Sequence, residues 1–205
     1  MVFPFVGVGF KPTPTTQPTM KFDPQKHHRR SIRLKGYDYT SPGGYFITIV
    51  TYQRECLFGE IVNGKMQLNE IGKIVEHAWN DLSNHYPNIE LGTFCIMPNH
   101  VHGIIVIKEN DIYIVGAGLR PAPTGPAPTR SQKRHGLPEI VRAFKSFSSR
   151  RVNEYLKSPG VPLWQRNYYE HIIRNDDEWN NIHLYIEANP LNWASDNENP
   201  TITKI

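Results

Sequence analysis

The run Tyr45-Phe46-Ile47-Thr48-Ile49-Val50-Thr51-Tyr52 is almost continuously β-branched or aromatic and follows the turn-forming Ser41-Pro42-Gly43-Gly44. This pattern predicts a central strand over 44–52. From Cys56 to Leu68, apolar flanks surround Asn63-Gly64, the two-residue signature of a tight hairpin. Between Asn69 and His85 the apolar residues Ile71, Ile74, Val75, Ala78, Trp79 and Leu82 recur at helical intervals, with Asn69 placed to cap the helix. Two apolar runs, 89–97 and 100–107, are joined only by Pro98-Asn99 and read as adjacent antiparallel strands.

Further along, Ile140, Val141, Phe144, Phe147 and Val152 share one side of a predicted helix over 137–156, whose other faces carry Arg142, Lys145, Arg150 and Arg151. Residues 164–174 are expected to be strand-like. Asn175-Asp176-Asp177-Glu178 has the form of a capping box and opens a last helix, which should stop near Asn189 because Pro190 disfavours helical geometry before it. Strands interrupted by two or three helices imply an α+β sandwich.

Two stretches fall outside this pattern. Residues 1–30 combine Pro and Thr with Lys26-His27-His28-Arg29-Arg30 and read as a flexible basic tail. Residues 116–135 contain Pro-Ala-Pro-Thr twice, end in Arg130-Ser131-Gln132-Lys133-Arg134-His135, and read as a flexible Pro-rich insertion. The expected organisation is therefore one domain over 31–195 between the basic tail and a C-terminal tail at 196–205.

Charge and composition narrow the class. Among 205 residues, 23 Lys and Arg against 19 Asp and Glu give a net charge of +4, and the basic residues fall in runs that favour an anionic partner. Cys56 and Cys95 have neither a CxxC partner nor a Cys/His cluster, which argues against a disulfide framework. No apolar run approaches the roughly twenty residues of a membrane span, and the N-terminus lacks the basic region of a signal peptide, so a cytoplasmic protein is expected.

His100-Val101-His102 carries the sharpest chemical signal. Alternate strand residues face the same way, so both imidazoles project together, a rigid pair suited to a divalent metal. A metallo-hydrolase of the His-x-His-x-Asp type would need a carboxylate at position 104, which is Ile104. The tail histidines His27 and His28, and His77 and His85 on the first helix, show no ligand spacing. Tyr185 and Asn189 stand four apart on the last helix, so one helical face offers a phenol and an amide oxygen. If that face packs over the strand, Asn189 can complete a three-ligand site while Tyr185 addresses a phosphate. Tyr168 and Tyr169, near basic Arg166 and Arg174, are rival nucleophiles; consecutive strand residues face opposite ways, so at most one could approach the metal, and packing or base stacking suits them better.

Three stretches, Met97-Pro98-Asn99-His100-Val101-His102, Leu163 through Arg174, and Tyr185-Ile186-Glu187-Ala188-Asn189-Pro190, with Gly44-Tyr45-Phe46-Ile47-Thr48 before them, resemble the REP-associated tyrosine transposases, relatives of the IS200/IS605 transposases. The resemblance spans roughly residues 30–195. It implies the HUH endonuclease fold, a ferredoxin-like antiparallel sheet with helices packed on it. It also implies metal ligation by His100 and His102 with Asn189 as third ligand, and attack by Tyr185 on single-stranded DNA at hairpin repeats, with Mg²⁺ or Mn²⁺ assisting and a 5′-phosphotyrosine intermediate. Arg142, Lys145, Arg150, Arg151, Arg166 and Arg174 would contact DNA. A monomer and a homodimer are both compatible with the resemblance. A hairpin-binding protein that no longer cuts is the second reading; a replication initiator of the same nuclease class would need further domains.

Overall fold

The structure, a computed structural model, describes residues 33–34, 36–109 and 135–201; the basic tail at 1–30 and the Pro-rich insertion up to residue 134 lie outside the described residues. The first strand, β1 (Gly43–Val50), buries Tyr45, Ile47 and Ile49 on one face and Phe46 on the other, which is why its sequence shows no polar alternation. After it, Gln53 and Arg54 adopt φ of 55° and 61° and reverse the chain. The hairpin follows as read: β2 (Gly59–Val62) pairs with β3 (Lys65–Leu68), and Asn63 and Gly64 both hold the positive φ that such a turn demands.

Asn69 caps α1 (Glu70–Asn80), its Oδ1 accepting from the Gly72 amide at 2.9 Å. The helix expected to run unbroken to His85 is interrupted at Asp81 and resumes as the single turn α2 (Leu82–His85). The Asp81 carboxylate accepts from Asn84 at 3.1 Å and from Arg151 at 3.1 Å, which ties the break to α2 and α3. Next come β4 (Ile89–Met97), β5 (His100–Ile107), α3 (Leu137–Leu156), β6 (Tyr169–Ile173) and α4 (Asp176–Ala188). The Asn175 side chain caps α4 by accepting from Glu178 N at 2.8 Å.

The strand expected over 164–174 is confined to β6. Trp164 makes a lone bridge to Thr51, and its indole N–H donates to Ser148 Oγ at 2.8 Å. Beyond it, the Lys145 ammonium donates to the carbonyls of Gln165 and Arg166 at 2.5 and 3.0 Å. The Gln165 amide still donates to the Val50 carbonyl at 2.9 Å, and beyond it, with the carbonyls claimed by a side chain, the chain leaves the ladder until β6.

Strands β1, β4, β5 and β6 form one antiparallel sheet in the order β4-β5-β1-β6. Helices α1 and α3 cover the face carrying Tyr45, Ile47, Ile49, Val101 and Ile105. The β-α-β-β-α-β order with this strand arrangement is ferredoxin-like. An extra helix, α4, covers the opposite face, where Ile182 and Ile186 pack on Phe46 and Ile104. None of the described helices is long and apolar enough to cross a membrane.

One glycine lets the two layers close around the histidine strand. A Cβ on Gly103 would stand 2.5 Å from the Trp79 ring, which itself stacks on Phe94 at 4.3 Å. Alanine would gain about 0.5–1 kcal/mol from reduced chain entropy but lose about 1–3 kcal/mol to overpacking, and the second effect wins. Gly103→Ala is therefore expected to lower unfolding free energy by about 1–2 kcal/mol in urea titration; an unchanged midpoint would show that Trp79 can shift at no cost.

Candidate active site

The alternation of β5 sends Val101 and Ile105 into the α1/α3 layer and His100 and His102 toward the α4 side. Both imidazoles are buried, and their Nε2 atoms stand 3.0 Å apart. Each ring is held through its other nitrogen. Asn99 Oδ1 lies 2.8 Å from His100 Nδ1, and Thr48 Oγ1 lies 2.8 Å from His102 Nδ1. Asn99 Nδ2 donates to the carbonyls of Arg54 and Glu198 at 3.1 and 2.6 Å, which fixes its oxygen toward His100. His100 Nδ1 must then carry the proton, leaving the Nε2 lone pair directed at His102. The Thr48 hydroxyl can donate or accept and so suits either tautomer of His102.

Burial dominates the charge state of the pair. It pulls His102 down to about 3 and His100 well below the ordinary imidazole value, with His102 and then Arg54 depressing His100 further. Both rings are neutral near pH 7, the form in which imidazole binds metal.

Helix α4 brings its functional face to this pair. The Tyr185 ring lies 5.3 Å from the His102 ring and 6.0 Å from Phe46, centroid to centroid, and remains 40 % exposed. Burial pushes its hydroxyl up to about 12; Asp196 adds to the rise, and the Asn189 side chain beside it pulls the other way. Asn189, at the C-terminal end of α4, is buried, and its Oδ1 has no hydrogen-bond partner among the described residues. An amide oxygen left bare in a buried position costs about 1–3 kcal/mol unless something positive meets it.

Asp196 completes the cluster. Its Oδ2 stands 3.7 Å from His100 Nε2, and one ligand atom from each of His100, His102 and Asp196 lies within 4.8 Å of the others. Desolvation raises its carboxyl, against the pull of the Glu198 amide hydrogen bond and of Arg54. The segment is tied down: Arg54 pairs with Glu198 and donates to the Asn197 carbonyl at 3.1 Å. The donor set fits a divalent cation. Two ligand atoms at right angles, each about 2.1 Å from an octahedral ion, stand roughly 3.0 Å apart, the separation of the two Nε2 atoms.

Thr48, Asn99 and Asp196 were not legible as site residues. Asn99 reads as a turn residue after Pro98, and Asp196 stands in the polar run Ser195-Asp196-Asn197-Glu198-Asn199, where a lone carboxylate gives no signal. Of the rival tyrosines, Tyr169 faces the α4 layer at 6.2 Å from Phe46, whereas Tyr168 packs against the α1/α3 layer.

The six basic residues expected at DNA are scattered. Arg142, Lys145 and Arg166 share a recess beside α3. Burial pulls Lys145 down to about 8. Arg150 lies over the Phe147 ring, Arg151 pairs with Asp81 at 3.1 Å, and Arg174 stands 3.9 Å from Glu178.

Comparison with known proteins places the chain. An uncharacterised Haemophilus influenzae protein is 43% identical over 181 residues, covering 87% of this chain and 97% of that protein. A second protein of that organism, assigned to the REP-associated tyrosine transposases, is 30% identical over 155 residues, covering 75% of this chain and 73% of its own length. The chain belongs to the REP-associated tyrosine transposase family. A REP-associated tyrosine transposase solved bound to a REP hairpin shares its fold, with a TM-score of 0.52 at 18% identity over 78% of this chain and 73% of the other. No protein-family profile matches the chain.

Within this member of the family, Asn99 ties the histidine strand to both flanking segments. Asn99→Ala strips partners from His100 Nδ1 and two carbonyls at once, and is expected to cost about 1–3 kcal/mol of unfolding free energy. Loss of less than about 0.5 kcal/mol in urea unfolding would mean that water replaces the amide fully.

Proposed function

We propose that the protein cuts and rejoins single-stranded DNA at repeat hairpins, with Tyr185 as the nucleophile and His100, His102 and Asn189 holding Mg²⁺ or Mn²⁺. The observation that carries this reading is the Tyr185 ring beside His102, on the face where the paired Nε2 atoms converge. Family membership supports a transposase, and the hairpin seen with a solved relative supports hairpin DNA as the partner. The bare Asn189 oxygen and the Asp196 carboxylate supply the remaining donors, one neutral and one anionic.

In the reaction, Tyr185 Oη attacks a phosphodiester phosphorus and the bond from phosphorus to the 3′ oxygen breaks. The phenolic proton passes from Oη to solvent water, to which Tyr185 is partly open, and the departing 3′ oxygen takes up a proton from water in turn. The products are a 5′-phosphotyrosine and a free 3′-OH, and the retained phosphoester energy lets another 3′-OH reverse the step without a nucleotide cofactor. A divalent cation bound by these residues would polarise the phosphate and offset its growing charge. The chain's own groups position the attack: Phe46 and His102 flank the tyrosine ring, and Asn189 stands beside its hydroxyl. Thr48 and Asn99 hold the imidazoles with Nε2 available, the outer-shell role that keeps ligand orientation and basicity.

Labelled hairpin DNA with a single-stranded flank, incubated with Mn²⁺ and run on a denaturing gel, should give a covalent adduct with wild type and none with Tyr185→Phe. An adduct that persists in Tyr185→Phe removes that residue from its role. Hairpin binding with no adduct in any variant would leave a binding protein that does not cut. By calorimetry, His100→Ala and Asn189→Ala should each weaken Mn²⁺ binding by about 10-fold or more; unchanged Mn²⁺ affinity in His100→Ala would rule out the cation site.

A further inference from the structure

Two stretches of the chain carry a pattern that the folded domain does not use. Val6-Gly7-Val8-Gly9-Phe10-Lys11-Pro12-Thr13-Pro14-Thr15 and Val115-Gly116-Ala117-Gly118-Leu119-Arg120-Pro121-Ala122-Pro123-Thr124 are two copies of one decapeptide, and Pro126-Ala127-Pro128-Thr129 repeats its second half alone. Both copies lie outside the described residues, one before β1 and one between β5 and α3. On either side of the second, Lys108 N donates to the Asn88 carbonyl at 2.8 Å and Leu137 N to the Tyr39 carbonyl at 3.0 Å. The sheet and α3 are thus fastened independently of what joins them, and sequence added there leaves the fold intact.

Each copy is a mirror: the glycines of its first half stand opposite the prolines of its second, and the outermost Val stands opposite Thr. A polypeptide runs one way, from N to C, so mirror order specifies no turn, strand or helix. The two arms of a folded DNA strand run antiparallel, so in coding DNA mirror order becomes complementarity. Gly is GGN and Pro is CCN; Val is GTN and Thr is ACN; Ala, GCN, faces another Ala. Outward from the centre at Leu119-Arg120, Gly118 pairs with Pro121, Ala117 with Ala122, Gly116 with Pro123 and Val115 with Thr124, in the first two bases of every codon. Third bases fall opposite third bases, where the genetic code leaves the choice free.

The differences between the copies follow base pairing and not side-chain chemistry. Ala117 and Ala122 are replaced in the first copy by Val8 and Thr13, so that GC facing GC becomes GT facing AC. Leu119 and Arg120 are replaced by Phe10 and Lys11; CT facing AG, open to Leu and Arg, becomes TT facing AA. Every difference between the two decapeptides belongs to one of these compensating pairs. Nothing in the packing of a protein couples Val to Thr at these positions while coupling Ala to Ala, whereas a stem that must stay paired does so at once.

We infer that both decapeptides are translated DNA hairpins, the second of the form 5′-GTN-GGN-GCN-GGN-CTN-AGR-CCN-GCN-CCN-ACN, and that the protein binds this hairpin, so that its own coding sequence is among its targets. Each arm is four codons long, and the Leu119-Arg120 codons supply the loop. The inference rests on the reading of hairpin DNA as substrate and adds a base sequence to it. The same stem also explains why Pro-rich peptides sit at tolerant points of the chain: they arrived as DNA, and the fold had only to bear them.

The bases of the gene give the first test. The third base of Val115 should complement that of Pro123, Gly116 that of Ala122, Ala117 that of Pro121 and Gly118 that of Arg120, with the same relation in the first copy. These bases are silent in the protein, so no demand on the peptide can align them; matches no more frequent than chance overturn the proposal. The second test is fluorescence anisotropy of the full chain on three strands. One carries the natural ten codons with their neighbours; one encodes the same decapeptide with every opposing third base mismatched; one is a hairpin of equal length with scrambled arms. The natural hairpin should bind about 10-fold or more tighter than either of the others. A natural hairpin bound no tighter than the scrambled one, with both above the mismatched strand, overturns the proposal and leaves hairpin DNA as the substrate class. If neither hairpin exceeds the mismatched strand, the hairpin reading itself fails.

Discussion

Two imidazole nitrogens 3.0 Å apart, turned toward each other and buried, impose conditions on everything around them. Neither ring can escape to solvent, neither can readily take a second proton in so dry a place, and each needs its outer nitrogen satisfied. The strand register answers the first condition, because β5 is paired on both sides, to β4 and to β1. Thr48, directly across from His102 on β1, and Asn99, in the turn before His100, answer the last.

Those answers propagate outward. Asn99 can direct its oxygen to His100 only because its amide group is claimed by two carbonyls, one from Arg54 and one from Glu198. Arg54 offers its carbonyl from a left-handed backbone that it and Gln53 hold against ordinary preference. Strain of about 1–3 kcal/mol per residue persists only where neighbours over-determine it, and here the Glu198 ion pair and the Asn197 carbonyl hold the same arginine. The polar run after Trp193 is thereby brought against the site, with Asp196 facing His100.

How much of this the sequence discloses depends on the range of the interaction. Strand alternation made the shared face of His100 and His102 readable, and helical spacing did the same for Tyr185 above Asn189, because both are short-range consequences of backbone geometry. The hairpin at Asn63-Gly64 and the cap at Asn175 were readable for the same reason. The β6 boundary was not: whether 165–168 joins a ladder depends on an ammonium from a helix twenty residues earlier. Asp196 and Thr48 became site residues only through pairings that close long loops, which no local pattern encodes. Arg151 and Lys145 illustrate the converse, since a basic helical face does not say which of its charges will be spent on Asp81 or on a carbonyl.

The two sides of the site are anchored with unequal strength. The imidazole pair belongs to an interior strand backed by the large core that includes Trp79 and Phe144, so exposing it means breaking two ladders and unpacking that core. Helix α4, in contrast, meets the sheet through the small cluster of Phe46, Ile104, Ile182 and Ile186. Local openings draw on the weakest attached unit first. The phenol-bearing helix is consequently the part of the site that opens first, at a free energy below that of global unfolding, while the nitrogen pair stays in register.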